Sequence, residues 1–228
     1  MRAPVSIIIP TLNAANALPG TLAALVEGLD AGLIRELILS DGGSSDDILV
    51  LAEAAGAILL QGPPGRGGQL ARGPDAAQGD WLLFLHADTS LGEGWATAVL
   101  DHQRDHTCNA GYFRLQFRAP GSAPRRVAAW ANWRSRVLDL PYGDQGLLIR
   151  RDLYDQIGGY PEIPLMEDVA IARALKGHLR PLNATAFTSA ERYLTQGWLR
   201  RGGRNLWTLI RFLLGADPAK LQSAYVKP

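Results

Sequence analysis

Two neighbouring carboxylates, Glu167 and Asp168, stand where a helix is predicted to begin. Apolar residues recur behind them at helical spacing, at Val169, Ala172 and Leu175. The start of a helix favours negative charge, because its free N–H groups and its dipole stabilise anions. The pair is therefore either an ordinary charged first turn or a catalytic base held over a pocket.

Three polar clusters upstream of this pair each follow a stretch that is typical of a buried strand. The strands and the clusters after them are Val5–Ile9 with Thr11–Asn13, Ile34–Leu39 with Asp41–Asp46, and Trp81–Leu85 with His86–Asp88. Ligands of parallel α/β sheets bind outside the carboxyl ends of the strands. We therefore expect the three clusters to share one crevice.

The second cluster is a Gly-Gly-Ser-Ser turn between Asp41 and Asp46. Glycines let a ligand approach the backbone closely, and free N–H groups there bind anions or polar ring edges. An Asp at the end of a strand commonly accepts hydrogen bonds from a nucleotide. We interpret Asp41 as nucleotide-binding, whereas Asp46 is equally well explained, like Ser45, as the cap of a helix over residues 47–55.

The third cluster, His86-Ala-Asp88, is the candidate metal site. A divalent ion held by a carboxylate neutralises a departing diphosphate without a proton transfer. His86 would be a second ligand suited to manganese, and it suits magnesium poorly. The alternative for His86 is a histidine that is hydrogen-bonded under the crevice.

A loop rich in glycine and proline, Gly62–Gly68, carries Arg66. A guanidinium group forms two parallel hydrogen bonds to a phosphate or to the edge of a base. The loop lacks the Gly-Lys-Ser/Thr of a P-loop and does not match the dinucleotide fingerprint. Arg66 is therefore an anion-binding candidate without a family signature.

Strands and helices alternate along residues 5–106, which predicts an α/β fold with a parallel sheet buried on both faces. Helices are predicted there over residues 15–29, 47–55, 69–78 and 93–106, with a further strand over 57–60. The pattern then changes to an alternating strand over Tyr112–Phe117. After it we predict a helix over 125–138, a strand over 147–149, a helix over 152–157 and a strand around Phe187.

The last predicted helix, over residues 197–214, mixes arginines with tryptophans and leucines. The simplest interpretation is an amphipathic helix packed on the domain. The alternatives are a peripheral membrane contact, with arginines at the lipid headgroups, and arginines that contact phosphate. No apolar run reaches the roughly 18 residues that span a bilayer.

Composition narrows the possible functions. Of 228 residues, 47% are hydrophobic and 20% are charged, as in ordinary soluble globular proteins. The net charge of +1 gives no reason to expect a nucleic-acid partner. The single cysteine, Cys108, cannot form an internal disulfide, which fits the cytoplasm, and we expect it to be a half-buried small residue.

Four of these segments, in this order and at these separations, resemble a family 2 glycosyltransferase of the GT-A fold. They are Ser6–Asn13, Asp41–Asp46, Phe84–Asp88 and Met166–Asp168, within a resemblance that covers residues 4–178. The segments Pro141–Gln145, Gly158-Gly159 and Pro164–Asp168 resemble a subgroup of short, soluble bacterial members. The central sheet would then be mainly parallel and Rossmann-like, in one domain over residues 1–228. Its donor half would span about 1–106 and its acceptor half about 107–228.

The resemblance implies transfer of one sugar, with inversion, from a nucleoside diphosphate sugar such as a UDP- or GDP-sugar to a hydroxyl acceptor, including lipid-linked acceptors. It implies that Asp168 is the base, with Glu167 as second choice, and that Asp88 is the last carboxylate of an Asp-x-Asp metal motif. His86 takes the place of the first carboxylate, so Mn²⁺ and Mg²⁺ both stay open as the cofactor. The residues expected to bind the nucleotide-sugar are Pro10, Thr11, Asn13, Asp41, Ser44, Arg66, Gln69, His86, Ala87 and Asp88.

On the acceptor side, the candidates are Asp144, Gln145 and Trp133. Asp144 and Gln145 lie in a polar loop and would contact the acceptor or hold the loop of the base; a plain turn is the alternative. Trp130 and Trp133 lie three apart on a predicted helix, where such residues are more often core than the wall of an acceptor site.

Two other functions compete with this one. A nucleotidyltransferase shares the parallel α/β start and a glycine-rich loop with an Arg. Its loop follows the first strand directly, where this chain has Pro10–Asn13 instead. A non-catalytic nucleotide-sugar-binding protein is suggested by the missing first carboxylate, although Asp88 and Asp168 are both present.

Overall fold

The computed structural model describes residues 3–226 and contains one eight-stranded mixed sheet with helices around it. The terminal residues of the predicted domain, Met1, Arg2, Lys227 and Pro228, lie outside the described part. The strands are β1 (Val5–Thr11), β2 (Ile34–Asp41), β3 (Ile58–Gln61), β4 (Trp81–Phe84), β5 (Thr89–Leu91), β6 (Ala110–Phe117), β7 (Leu147–Arg150) and β8 (Leu179–Thr188). The helices are α1 (Leu18–Asp30), α2 (Ile48–Ala54), α3 (Arg66–Ala76), α4 (Trp95–Asp105), α5 (Ser122–Leu138), α6 (Arg151–Gln156), α7 (Glu167–Ala174), α8 (Glu191–Gln196), α9 (Trp198–Leu213) and α10 (Pro218–Val226).

The first four strands form the parallel half of the sheet. Their order is β3-β2-β1-β4, and every pairing within it is parallel. Ile7, Ile8 and Ile9 of β1 are fully buried, since helices cover both faces of a parallel sheet. This half confirms the predicted α/β fold and places the carboxyl ends of β1, β2 and β4 at one edge.

The second half of the sheet is mixed, which agrees with the prediction of a mainly parallel central sheet. β7 pairs antiparallel with β4 and with β6, whereas β6 and β8 are parallel. The three-residue strand β5, which pairs antiparallel with β8, was missed because it is too short to show a period. The alternation in β6 was correct: Phe113 and Leu115 are buried and Arg114 is exposed.

Several predicted helix ends need correction. The first helix begins at Leu18 rather than residue 15, after a turn in which Leu18 N–H donates to the carbonyl of Ala14. The third begins at Arg66 rather than residue 69, because Gly65 at φ 144° lets the chain enter the helix within the glycine loop. Helices α8 and α10 were not predicted. The extra residues of α3 put Arg66 at a helix start.

Two sequence interpretations of apolar residues were also wrong. Trp130 and Trp133 are not core residues: they are 47% and 42% exposed and stack on each other. Cys108 is exposed rather than half-buried. Among residues 3–226, no helix is both long and apolar enough to cross a membrane.

Candidate active site

The carboxyl ends of β1 and β2 meet in register, so that Thr11 lies opposite Asp41. The hydroxyl of Thr11 donates to Asp41 Oδ1 at 3.0 Å. Both residues are buried, at 1% and 0% exposure. Two of the three predicted clusters therefore share one edge of the sheet.

The carboxylate of Asp41 organises the turn that follows it. The backbone N–H groups of Gly43 and Ser44 donate to Oδ2 at 2.9 and 2.8 Å, and the Ser44 hydroxyl donates to Oδ1. Burial alone would raise the pKa of Asp41, but hydrogen bonds from Ser44, Thr11 and Gly43 outweigh it and lower the pKa. Asp41 is therefore a charged residue that shapes the loop from within.

The loops after β1 and β2 are also bound to each other. The N–H of Asn13 donates to the Ser44 hydroxyl at 2.8 Å, and the N–H of Ser45 donates to the Asn13 side chain at 2.9 Å. Asp46 accepts from the N–H of Ala15 at 2.7 Å. The capping interpretation of Ser45 and Asp46 was wrong, since α2 has no side-chain cap and both residues instead contact the first loop.

Gln69 joins three segments of this edge. Its side-chain amide donates to the carbonyls of Thr11 and Ser40, at 2.6 and 2.8 Å, and its oxygen accepts from the N–H of Gly65 at 3.3 Å. Gln69 is 4% exposed. It therefore holds the glycine loop against the strand ends rather than pointing into solvent.

The remaining predicted donor-side residues line the same edge. Pro10 is half-buried within β1, where it pairs with Ser40. Ala87 is buried, and its carbonyl accepts from the hydroxyl of Thr21 at 2.8 Å. Both are positioned by the backbone, so neither supplies a charged or hydroxyl group.

Arg66 connects the glycine loop with the carboxylate pair. Its guanidinium lies 3.6 Å from Glu167 Oε1, and the side chain of Glu167 is only 3% exposed. Burial raises the pKa of Glu167, Asp168 raises it further, and Arg66 opposes both. For Arg66, burial lowers the pKa, but Glu167, Asp168 and Asp88 together raise it. The ordinary charged-turn interpretation therefore does not describe Glu167, which is buried and ion-paired.

The backbone of α3 packs tightly on the segment that leads into α7. A Cβ atom on Gly67 would lie 2.4 Å from the carbonyl oxygen of Ile163 and 2.5 Å from that of Pro161. Only a glycine permits this approach. At the other end of the segment, Met166 has φ 68°, a left-handed conformation that is uncommon outside glycine. These two features place Arg66 beside Glu167.

Asp168 and His86 meet at Gly143. The N–H of Gly143 donates to Asp168 Oδ2 at 3.0 Å, and Val169 N–H donates to Oδ1 at 2.8 Å. On its other side, Gly143 packs on the His86 ring so closely that an added Cβ would lie 2.4 Å from Nε2. The third strand-end cluster therefore touches the turn that contacts the candidate base, as a single crevice requires.

His86 is a neutral imidazole in this setting. Burial lowers its pKa well below the ordinary value, and the positive charges of Arg66 and Arg192 add to the effect. The backbone carbonyl of Asp88, two residues on, accepts from Arg118 at 2.7 Å. That bond fixes the backbone of Asp88 and does not use its carboxylate.

Asp144 and Arg134 carry buried polar atoms without partners. Asp144 Oδ1 and one terminal nitrogen of Arg134 are both buried and form no hydrogen bond. Arg134 is 5% exposed, its Nε donates to the carbonyl of Leu140 at 2.8 Å, and its guanidinium lies 3.4 Å from the centre of the Tyr142 ring. Burial raises the pKa of Asp144 to about 6, against the opposing effect of Arg134. Buried polar groups in proteins are usually hydrogen-bonded, so these two atoms are exceptions beside the turn that contacts Asp168.

The other two predicted acceptor-side residues point elsewhere. Gln145 is fully buried; it accepts from the hydroxyl of Ser135 at 2.6 Å and donates to the carbonyl of Phe113 at 3.1 Å. Gln145 therefore holds the turn, as one of its two interpretations proposed. Trp133 lies on the exposed side of α5, whereas its neighbour Arg134 is buried.

Sequence reasoning missed Arg134 and Tyr142 as neighbours of Asp144. Tyr142 was part of a recognised loop, and burial raises the pKa of its hydroxyl well above the ordinary range. Arg134 gave no signal because it lies among four other arginines between residues 118 and 138. A buried arginine next to an exposed tryptophan is visible only in three dimensions.

Residues 6–157 match the family model described as glycosyl transferase family 2. The chain belongs to glycosyl transferase family 2. The match favours this family over the nucleotidyltransferase alternative. Glu167 and Asp168 lie beyond the matched residues, so their place in the site rests on the structure.

Curated members of family 2 share part of the chain. A PGL/p-HBAD biosynthesis glycosyltransferase of Mycobacterium bovis is 41% identical over 101 residues, which are 41% of this chain and 39% of the relative. A glucosyl-3-phosphoglycerate synthase of Mycolicibacterium smegmatis is 33% identical over 93 residues, 37% of this chain and 30% of the relative. The aligned segments thus span less than half the length of these relatives.

Solved structures share the fold over most of the chain. S. aureus TarS 1–349 superposes with a TM-score of 0.65 at 16% identity, covering 94% of this chain and 66% of that one. Glucosyl-3-phosphoglycerate synthase of Mycobacterium tuberculosis, in complex with Mn²⁺, UDP and phosphoglyceric acid, gives 0.57 at 19% identity, covering 82% and 69%. These likenesses establish the GT-A fold.

Proposed function

We propose that this chain transfers one sugar from a nucleoside diphosphate sugar to an acceptor hydroxyl, with inversion at the anomeric carbon. The observation that supports this most directly is the meeting of His86 and Asp168 at Gly143. It brings the strand-end edge, where ligands of such sheets bind, against a half-buried carboxylate from the other half of the chain. Donor and base then lie on opposite sides of one crevice.

For the donor, we assign the nucleoside to the edge formed by Thr11, Asn13 and the Asp41–Ser44 turn. The loops are already hydrogen-bonded to each other, so they offer a preformed surface. Arg66 lies where its positive charge would contact the diphosphate. UDP is the first candidate, because S. aureus TarS has a solved complex with UDP-GlcNAc and the mycobacterial synthase has one with UDP.

Asp88 and His86 are the residues that would hold a divalent ion. Within residues 3–226, no group of three or more His, Cys, Asp and Glu side chains is arranged to hold a metal by itself. This fits an ion that takes its other ligands from the phosphates of the donor, as Mg²⁺ commonly does. The imidazole of His86 is neutral, the form that binds metals. When bound, such an ion neutralises charge on the departing diphosphate.

Asp168 is the base in this proposal, and Glu167 is a positioning residue. A hydroxyl is a poor nucleophile at neutral pH, and a placed carboxylate that takes its proton accelerates transfer roughly 10²–10⁴-fold. Glu167 is buried and paired with Arg66, whereas Asp168 is half-buried and keeps room for a substrate. Attack from the face opposite the diphosphate inverts the anomeric carbon in a single step, without a covalent nucleophile on the protein.

The acceptor would bind between Asp144 and Arg134. Their unpartnered atoms, Asp144 Oδ1 and an Arg134 nitrogen, offer an acceptor and a donor to the same polar ligand. The turn that carries Asp144 also donates to Asp168 through Gly143. A sugar or glycerol hydroxyl at this position would therefore lie next to the base.

A donor screen tests the proposal. UDP, GDP, CDP and their common sugars are titrated with Mn²⁺ or Mg²⁺ against wild type, Asp88→Ala and the control Asp30→Ala, while melting temperature and released nucleoside diphosphate are followed. Asp30 is exposed at the end of α1, near the opposite edge of the sheet. We expect one diphosphate to raise the melting temperature in a metal-dependent way, and Asp88→Ala alone to abolish this. Binding without any donor hydrolysis would favour a non-catalytic nucleotide-sugar-binding protein, and no binding at all would reject both.

A further inference from the structure

Helix α9 exposes a set of large apolar side chains to solvent. Its exposed side carries Leu199, Trp207 and Leu214, which are 93%, 62% and 82% exposed. Leu206, Ile210 and Leu213 lie between them and are 39–43% exposed. Leu199, Leu206 and Leu213 are seven residues, or about two turns, apart, and Trp207, Ile210 and Leu214 lie three or four residues apart beside them, so all six share one side of the helix. The apolar stripe of α9 therefore faces solvent.

The side of α9 that faces the protein is mixed: Leu209 is 5% exposed and belongs to the core, and Phe212 packs against that core. Arg201 and Thr208 are each 6% exposed, and Arg201 donates to the hydroxyl of Tyr225 and to Gln196. An amphipathic helix that is stabilised only by its own domain buries its apolar stripe. Helix α9 does pack on the domain, as the simplest interpretation of residues 197–214 predicted, but its exposed apolar stripe is not used in that packing.

Helix α5 repeats the arrangement beside α9. Trp130, Trp133 and Val137 are 42–53% exposed and share one side of the helix, whereas Arg134 is buried. The two tryptophan rings stack at 5.0 Å. Because α5 packs against α9, the apolar stripes lie on neighbouring helices. We call them together the outer face: Trp130, Trp133, Val137, Leu199, Leu206, Trp207, Ile210, Leu213 and Leu214.

Helices α5 and α9 carry arginines and no acidic residue, although Asp139, Glu191 and Asp217 flank the two segments. Residues 118–138 contain five arginines and no acidic residue, and residues 192–216 likewise contain five arginines and no acidic residue. Arg126 and Arg200 are exposed on these helices. Such a surface is complementary to a negatively charged partner that also offers an apolar layer.

We propose that the outer face binds the surface of an anionic phospholipid bilayer. Tryptophan and leucine side chains enter the boundary between headgroups and acyl chains, while arginines contact the phosphates. A second copy of this chain fits less well, since a two-fold interface would place an arginine-rich face against itself. The outer face extends the contact first suggested for 197–214 to α5.

The placement of the outer face bears on the acceptor. Helix α5 also carries the buried Arg134, which lies over Tyr142 in the turn that reaches Asp168. A helix is about 10 Å across, so the bilayer would lie roughly one helix diameter from that turn. A lipid-linked hydroxyl could reach the crevice from there. This extension rests on the proposed transferase function, whereas bilayer binding does not.

Vesicle binding tests the proposal. The full chain is incubated with vesicles of phosphatidylcholine alone or of equal parts phosphatidylcholine and phosphatidylglycerol, and the bound fraction is measured by flotation. We expect binding to the anionic vesicles only, weakened by added salt. Trp207→Ser should lower the partition coefficient roughly tenfold, as expected for the loss of a large buried apolar group. Arg126→Gln and Arg200→Gln should each lower it roughly fivefold.

Matched variants distinguish the outer face from exposed apolar residues elsewhere on the protein. Leu29→Ser removes an apolar residue of α1 with 59% exposure and should bind as wild type does. If Trp207→Ser does not fold, Leu199→Ser at 93% exposure replaces it. Equal binding to neutral vesicles, no binding at all, or wild-type binding by the Trp207 and Leu199 variants would overturn the proposal. So would a wild-type dimer, seen by sedimentation velocity, that Trp207→Ser disperses. UDP binding by the same variants reports separately on the proposed function.

Discussion

The two sides of the crevice differ in how their polar groups are satisfied. On the donor side, Asp41 accepts four hydrogen bonds from its own turn and from Thr11, and Gln69 joins the strand ends to the glycine loop. On the acceptor side, Asp144 and Arg134 keep buried atoms without partners. The contrast is one of degree: the proposed donor side also keeps Ser40 Oγ and Asp46 Oδ1 without partners, but its central carboxylate, Asp41, is fully hydrogen-bonded, whereas Asp144 and Arg134 of the proposed acceptor side each keep an unpartnered atom.

This difference has a physical origin. The proposed donor side is built on neighbouring parallel strands. Their register places the turns that follow β1 and β2 at the same edge of the sheet, where backbone N–H groups can donate hydrogen bonds to the side chains. The acceptor side is assembled from α5, the turn at Gly143–Gln145 and α7, which are far apart in sequence. The proposed donor side is therefore held by hydrogen bonds within and between its turns, whereas the proposed acceptor side depends on contacts between segments that are far apart in the sequence.

The largest effect is expected at the base. Asp168→Asn can accept only one of the two hydrogen bonds that Gly143 and Val169 donate to the carboxylate, and it cannot take a proton, so turnover should fall roughly 10²–10⁴-fold. UDP binding, measured by calorimetry, should stay at the wild-type level because the donor side is untouched. Asp155→Asn, an exposed carboxylate on α6, is the matched control. Full activity of Asp168→Asn would transfer the role of base to Glu167.

A smaller loss of turnover is expected when the ion pair between Arg66 and Glu167 is removed. Arg66→Gln removes the positive charge beside Glu167, so the pKa of Glu167 should rise further. Donor turnover should fall roughly tenfold to a hundredfold, the range seen when a charge-stabilising donor is removed. Arg104→Gln is the control: it changes an exposed arginine of α4 and should leave turnover unchanged. An unchanged rate in Arg66→Gln would place the diphosphate elsewhere.

The ionisation of Asp144 should make the free energy of unfolding depend on pH. The pKa of Asp144 is raised from 3.8 to about 6, so the folded state binds its proton more tightly than the unfolded chain does. The free energy of unfolding should therefore fall as pH rises from about 4 to about 6. Asp144→Asn should fall less over this window, as followed by thermal melting.

For the Asp144 test, Asp30→Asn serves as the comparison, since Asp30 is exposed at the end of α1. Its melting curve should follow wild type at every pH. Equal pH dependence of wild type and Asp144→Asn would show that Asp144 does not carry the proton, and it would remove the electrostatic contrast between the two sides.

The smallest effect is expected on the proposed donor side, because several hydrogen bonds stabilise the turn at Asp41 and the loss of one leaves the others in place. Ser44→Ala removes one of four hydrogen bonds to Asp41 and also the acceptor of the exposed Asn13 N–H, which can bond to water instead. UDP binding should therefore weaken about fivefold, since the bond to Asp41 contributes about 1 kcal/mol. Ser45→Ala, whose hydroxyl contacts only Asn13 at 3.3 Å, should bind UDP as wild type does. A hundredfold loss in Ser44→Ala would mean that this edge is less preorganised than its hydrogen bonds indicate.

The same contrast explains what could be predicted from the sequence. The strands before Thr11, Asp41 and His86 were recognised because buried parallel strands read as short apolar runs, and their order places the clusters at one edge. The position of Glu167 and Asp168 at a helix start was also correct. These features depend on local patterns, and local patterns are what a sequence displays.

The missed features depend on contacts between distant segments. The antiparallel position of β7 beside β4 could not be read from four residues of one strand. The outward stripes of α5 and α9 have the same period as inward ones, so periodicity identifies the helix but not the side that it buries. The ion pair of Arg66 with Glu167 joins two distant parts of the chain, so no spacing of residues in the sequence predicts it. The assignment of a donor half and an acceptor half stays a prediction.

Gly143 has a consequence for how this protein tolerates mutation. Its N–H meets Asp168 and its bare Cα lies on His86, so the two sides are spaced by a residue without a side chain. Every substitution there adds at least a Cβ, which would lie 2.4 Å from the imidazole. In a library that randomises residues 141–146, we expect position 143 to return almost only glycine among active clones. If so, substitutions at Arg134 and Asp144 could change the proposed acceptor specificity, while Gly143 keeps the distance between the proposed donor site and the proposed base.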